Sequence, residues 1–174
     1  MSMETILTIR DRDFIENAPD VDSSGFKNRE AVRAVLSDDN GRIALIYSKN
    51  RNYHKLPGGG IDQGEDHASA LHREIMEETG CRAEIIQEVG QIIEFRDQIE
   101  LIQTSYCYTA KLIEDTGETH FTDHEASEQF AVIWADDLTH AISLFEQVTS
   151  KDYGIQYMTK RDLEFIKSAS KQKL

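Results

Sequence analysis

A mixed α/β layered domain is the architecture this sequence predicts. Two strand patterns flank an Asn40-Gly41 turn, a glycine-dense loop leads into an amphipathic helix, and strand and helix patterns are interspersed thereafter. The 174 residues fit a single domain over 1–174. Hydrophobic residues make up 39% and aromatics 8%, enough for a buried core, so wholesale disorder is excluded.

Residues 1–24 read as a short strand, Ile6 to Ile9, followed by a polar, turn-rich connection from Asn17 to Ser24. From Ala31 a β pattern runs through Val32, Ala34 and Leu36, turns at Asp39-Asn40-Gly41, and returns from Ile43 to Tyr47. The loop Leu56-Pro57-Gly58-Gly59-Gly60 precedes a helix from about Asp66 to Thr79, ending at Gly80. Strands then follow at Ala83–Val89, Gln91–Phe95 and Ile102–Leu112, with Tyr106 and Tyr108 on one face and Ser105 and Cys107 on the other. An apolar strand spans Phe130 to Trp134, and Asp136 or Asp137 caps a helix carrying Leu138, Ala141, Ile142 and Phe145. Near the end, Thr159-Lys160-Arg161-Asp162 reads as a capping box ahead of Leu163 and Ile166.

Charge narrows the functions. Nineteen basic against thirty-two acidic residues leave a net charge of −13. Such a surface repels polyanions, which argues against polymeric nucleic acid and acidic membranes as partners. The longest apolar run, Phe130 to Ala135, is too short to span a bilayer, and the first five residues lack the build of a signal peptide. Cys81 and Cys107 form neither a disulfide framework nor a zinc knuckle, so a reducing cytoplasm is the expected compartment.

Chemistry concentrates in 59–81. At roughly 100° per residue, Ala68, Leu71, Ile75 and Thr79 form an apolar stripe. Glu74, Glu77 and Glu78 share the adjoining face, and Arg73 stands four residues before Glu77, close enough to pair with it. Three glutamates alone would read as a solvated helix face, since like charges at this spacing repel by a few tenths of a kcal/mol per pair. A hard divalent cation resolves the repulsion, because Mg²⁺ takes carboxylate oxygens. The glycines strengthen that reading, since Gly58-Gly59-Gly60 lets backbone approach a ligand and a carbonyl complete a metal shell.

Gly59, Glu65, Arg73-Glu74-Ile75, Glu77-Glu78 and Gly80 follow the pattern G-x5-E-x7-R-E-U-x-E-E-x-G-U, where U is a bulky aliphatic. That pattern resembles the signature of the Nudix hydrolase family, with Cys81 in place of the final aliphatic. The resemblance implies an α/β/α sandwich with a mixed sheet and a loop–helix–loop active site. It also implies hydrolysis of a nucleoside diphosphate linked to another moiety, with Mg²⁺ or Mn²⁺. Carried over by position, Glu74, Glu77 and Glu78 are expected metal ligands, with the Gly58 carbonyl as a further one, while Gly59, Glu65 and Arg73 support the site.

A general base is expected as well, since a glutamate within reach of a bound water suits the task. In relatives it often sits on a loop outside the signature, which here points to Glu125 or Glu128, with Glu77 the alternative inside it. Arg33, Arg51 and Lys55 are candidate phosphate contacts, with Arg29 beside them, and Tyr106, Tyr108 or Trp134 could stack a base. His54, His67 and His72 lack metal-ligand spacing, although His67 falls on the glutamate face. The subfamily marks expected roughly fifteen to seventeen residues past the signature are absent at Arg96, Asp97 and Gln98. The expected substrate is therefore a nucleoside triphosphate or modified nucleotide, taken by a monomer or homodimer. The competing reading is a binding module of the same fold that senses a nucleotide without cleaving it.

Overall fold

The computed structural model describes residues 3–172; residues 1–2 and 173–174, the ends of the expected 1–174 domain, lie outside the described residues. Seven strands form one mixed sheet: β1 (Thr5–Arg10), β2 (Lys27–Ser37), β3 (Ile43–Ser48), β4 (Tyr53–Lys55), β5 (Cys81–Arg96), β6 (Leu101–Asp115) and β7 (Phe130–Ala135). Their order is β1-β5-β6-β2-β3-β4, with β7 paired to β3. The β1–β5 and β6–β2 pairs are parallel, and the remaining pairs antiparallel. Helices α1 (His67–Thr79), α2 (Asp123–Ser127), α3 (Leu138–Glu146) and α4 (Tyr153–Lys171) complete the chain.

Strand alternation decides which residues meet which helix. Val32, Ala34 and Leu36 of β2 face α1 and pack with Ala70, Leu71 and Ile75. Val35 turns to the opposite face, where Ile43, Leu45, Phe145, Phe165 and Ile166 form a second core under α3 and α4. Burying each Leu or Ile side chain contributes roughly 1.5–3 kcal/mol. Helices on both faces of a mixed sheet make the expected α/β/α sandwich. Among the described residues, no helix is long and apolar enough to cross a membrane.

Several elements differ from the sequence reading. The Asn40-Gly41 hairpin forms, but β2 and β3 share only the Ser37–Ile43 position before they splay apart. The glycine loop fills the opened gap: Val32 N–H donates to Gly59 and Ala34 N–H to Pro57. The strands expected at 83–89 and 91–95 are one strand, β5, because β6 pairs along its whole length and absorbs register shifts rather than breaking. Thr159 caps nothing. It lies inside α4, whose cap is Asp152, with Oδ1 accepting from Ile155 N–H. Asp137 caps α3, and β4 and α2 carry too few residues to show a period.

Candidate active site

Asp66 sets where α1 begins. Its Oδ1 accepts the N–H of Ser69 at 2.7 Å, an N-cap bond that satisfies one of the first turn's free donors. The buried stripe of α1 is rotated from the expected one: Ala68 is exposed, whereas Ala70 and Glu78 are buried with Leu71, Ile75 and Thr79. The three glutamates therefore stand in different surroundings. The Glu77 side chain is 43% exposed, that of Glu74 12% and that of Glu78 3%.

Arg73 organises the outer side. Its Nε and Nη2 donate to the two Glu65 oxygens at 2.9 and 2.8 Å, and Nη2 also reaches the Gly60 carbonyl at 3.0 Å. Nη1 donates to Glu74 at 2.7 Å and lies 3.4 Å from Glu77. Glu65 is held below the usual carboxylate range by these guanidinium bonds. The fork thus ties loop, helix and two of the three glutamates together, a bidentate geometry lysine cannot reproduce. The expected Arg73–Glu77 pair is the longest of its hydrogen bonds, with Asp62 farther still at 3.8 Å.

Glu78 faces inward. Its Oε2 accepts the Gly58 N–H at 2.7 Å and its Oε1 accepts Lys55 Nζ at 2.6 Å. Burial pushes its carboxyl up to about 7 despite the lysine. Glu125 Oε1 lies 3.8 Å from the same Lys55 Nζ. Burial acts to raise Glu125 too, but Thr122 N–H, Lys55 and the Thr122 hydroxyl outweigh it and hold this carboxyl below its ordinary range. Glu128, in contrast, accepts from Ser48 Oγ at 3.2 Å and lies 4.0 Å from Arg51. Of the two loop candidates, the structure brings only Glu125 to the lysine that Glu78 holds.

Two glycines make this packing possible. Gly58 has φ +137°, and a Cβ there would strike the Val32 carbonyl; a Cβ on Gly59 would collide with the Glu74 carboxylate. Gly59→Ala is expected to push Glu74 off Arg73, lowering both thermal stability and any metal response. A melt series with and without Mg²⁺ checks this, and an unchanged metal response rejects it.

Among the described residues, no three carboxylate, histidine or cysteine side chains are gathered closely enough to hold a metal ion as they stand. The reason is visible in the pairing: Arg73 draws Glu74 and Glu77 one way, and Lys55 draws Glu78 and Glu125 the other. The donor set fits a hard divalent cation all the same. It is made of carboxylate oxygens, and the Lys55 ammonium, 2.6 Å from Glu78 and 3.8 Å from Glu125, already serves two of them as a stand-in cation.

A cavity of about 790 Å³ opens beside Glu74, lined by Arg29, Asn28, Glu30, Gly60, Asp62 and Thr104 among others. Arg29 is the cation on its wall. Arg33 is instead 6% exposed and folds back under the glycine loop, donating to the carbonyls of Val32 at 2.6 Å and Gly59 at 3.4 Å. Arg33, a candidate phosphate contact, therefore does not line this cavity, because the loop and α4 cover that part of β2. Arg51 pairs with Asp152 at 2.5 Å and is spent on the cap of α4. Tyr106 donates to Glu30 at 2.7 Å and packs on His67 at 4.1 Å between ring centroids. His67 Nδ1 in turn meets the Tyr108 hydroxyl at 2.7 Å, which makes it a packing residue. Trp134 packs against the α1-side core.

Sequence reasoning assigned Gln103 and Glu94 no role and read Arg161 and Asp162 only as part of a helix cap; all four are buried here. Their signal was charge on an apolar stripe: Asp162 lies seven residues after Ile155 and four before Ile166, on the buried side of α4.

Fold and site together define an α/β/α sandwich whose splayed central strands carry a glycine loop over a glutamate-rich helix. The chain belongs to the NUDIX domain family, whose sequence pattern it matches over residues 27–148. It is similar to Nucleoside diphosphate-linked moiety X motif 6 of Xenopus laevis, at 45% identity over 53 residues, 29% of this chain and 24% of that one. It also resembles an RNA pyrophosphohydrolase of Acinetobacter baylyi, at 38% identity over 71 residues, 41% of this chain and 42% of that one. The matches thus span less than half the length of these curated relatives. Among solved structures, a NUDIX hydrolase from Nitrosomonas europaea shares the fold with TM-score 0.58 and 16% identity, over 84% of this chain and 92% of that one. A UDP-X diphosphatase does so with TM-score 0.57 and 19% identity, over 92% and 76%.

Proposed function

We propose that this protein hydrolyses a pyrophosphate bond in a nucleoside diphosphate linked to another moiety, with Mg²⁺ or Mn²⁺ as cofactor. One observation carries the reading: Glu78 and Glu125 share a single ammonium while Glu74 and Glu77 share a single guanidinium, four carboxylates to two cations, an acidic cluster that suits a further cation. In this reading Glu74, Glu77 and Glu78 hold the metal, with the Gly58 carbonyl as a further ligand. When bound, the divalent cation offsets the diphosphate charge and makes a water acidic enough to attack phosphorus.

The chain's own groups do the rest. Glu65 and Arg73 brace the glycine loop against the helix that carries the glutamates. Glu125, held ionised at neutral pH, accepts the proton of the attacking water. The water oxygen bonds to phosphorus as the bridging P–O bond breaks, and the leaving phosphate takes the electron pair. Lys55 would be a cation available to the substrate were Glu78 to hold the metal. The substrate is a small nucleotide, a nucleoside triphosphate or a modified nucleotide, and the −13 surface disfavours a polymer. Two buried free cysteines agree with a reducing cytoplasm.

Phosphate release over a panel of nucleoside triphosphates, nucleoside diphosphate sugars, dinucleoside polyphosphates and a 5′-triphosphorylated RNA, with Mg²⁺, tests the reading. Turnover of a small nucleotide supports it; binding without turnover favours the sensing module. Glu125→Gln is expected to lose kcat by about 10²–10⁴-fold with little change in KM, whereas Glu128→Gln stays near wild type. Equal kcat in wild type and Glu125→Gln would transfer the base role to Glu77.

A further inference from the structure

Helix α4 lies beyond the family-matched residues 27–148, yet two of its side chains reach in beneath the glycine loop and the sheet beside the site. Asp162, fully buried, accepts the N–H of Leu56, the first residue of the glycine loop, at 2.8 Å. Arg161, 1% exposed, donates Nε to Asp162 at 2.7 Å and directs Nη1 toward Glu94 at 3.4 Å. Glu94 is also fully buried and takes Arg96 Nη2 at 2.8 Å. It then accepts Gln103 Nε2 at 2.7 Å.

That last bond fixes the orientation of an amide. Glu94 faces two guanidinium groups and therefore stays an acceptor, so Gln103 must turn its NH₂ toward it. The same NH₂ donates to Ser105 Oγ at 3.1 Å, which uses both of its hydrogens. The Gln103 carbonyl is left pointing the other way, where it accepts Arg29 Nη1 at 2.6 Å. Arg29 is thus oriented from α4 through three buried side chains. Its guanidinium lies along Gly60 on the cavity wall that Glu74 also lines. It has further N–H groups and, among the described residues, no carboxylate hydrogen-bond partner, which suits a phosphoryl oxygen.

We propose that α4 is part of the substrate site: Arg161, Glu94 and Gln103 are positioning residues that aim Arg29 at a phosphoryl group of the nucleotide held beside Glu74. This inference rests on the proposed function for its ligand. It does not require that the ligand be cleaved.

A double-mutant cycle between Arg29 and Gln103 tests it, because a residue that acts through another has no effect once that other is removed. ADP with Mg²⁺ is the binding probe, read by calorimetry, and KM and kcat on the best panel substrate are the kinetic readouts. Arg29→Met is expected to weaken ADP roughly tenfold or more, the loss of a hydrogen bond to a charged group. Gln103→Met should weaken it by several-fold, raising KM with kcat nearly unchanged. In the Arg29→Met background, Gln103→Met should then have no further effect. Arg161→Lys, which keeps the buried charge, should recover most of the affinity lost in Arg161→Met.

Additive losses in the Arg29→Met, Gln103→Met double variant would reduce Gln103 to a packing role and overturn the proposal. So would failure of wild type to bind ADP at millimolar concentration. Coupling in ADP binding without turnover of any panel member would uphold the relay while rejecting hydrolysis. Melting curves of each variant identify any that fail to fold, and the Arg29 and Gln103 pair alone is enough to decide.

Discussion

Glu77→Gln and Glu78→Gln are each expected to lower turnover at least about a hundredfold while circular dichroism stays that of wild type, because a lost metal charge is lost from the transition state. Glu77 gives the cleaner experiment. Its side chain is 43% exposed and its one ion-pair partner is Arg73 at 3.4 Å, so the amide disturbs little of the fold. Glu78 is the sterner one, since its carboxylate receives both Lys55 and the Gly58 N–H. A glutamine there offers a single acceptor, which leaves one of those donors unpaired at a cost of about 1–3 kcal/mol. Steady-state kinetics beside a melt separates that structural cost from the catalytic one. Near-wild-type turnover in both variants would reject these glutamates as metal ligands.

The second expectation is a thermal response to metal. Repulsion among Glu74, Glu77 and Glu78 costs the metal-free protein well under about 1 kcal/mol, and Arg73 already offsets part of it. A cation present at a hundred times its Kd adds about 2.7 kcal/mol to the folded state. For a chain of this size that corresponds to a rise of about 5–10 °C in Tm. Binding is the larger effect, so millimolar Mg²⁺ or Mn²⁺ should raise Tm whereas K⁺ at matched ionic strength should not. Charge crowding alone would make metal-free Glu78→Gln more stable than wild type. The Lys55 and Gly58 bonds reverse that sign, so the variant should melt lower without metal and respond far less to it. Equal responses in wild type and Glu78→Gln would show that Glu78 is not a significant ligand.

The sequence by itself determined whatever depends on neighbours along the chain. The Asn40-Gly41 turn, a cap at Asp136 or Asp137 and the end of α1 at Gly80 are local choices of backbone geometry. The spacing of Glu74, Glu77 and Glu78 is equally local, since 3.6 residues per turn puts them on one side of any helix. The glycine loop and glutamates were legible for that reason, and with them the family.

Tertiary structure decided the rest. Arg29 and Arg33 share strand and parity, so periodicity cannot tell them apart. Only the loop and α4 covering Arg33, with the cavity left open at Arg29, separate them. The same holds for Glu125 and Glu128, three residues apart, of which only Glu125 meets the lysine that Glu78 holds. Lys55 meets Glu78 across 23 residues, and Leu56 meets Asp162 across 106. Contacts at such separation come from closing the sandwich, when the gap between β2 and β3 draws in the glycine loop and α4 seals it. No periodicity in the chain records which buried charges that closure brings together.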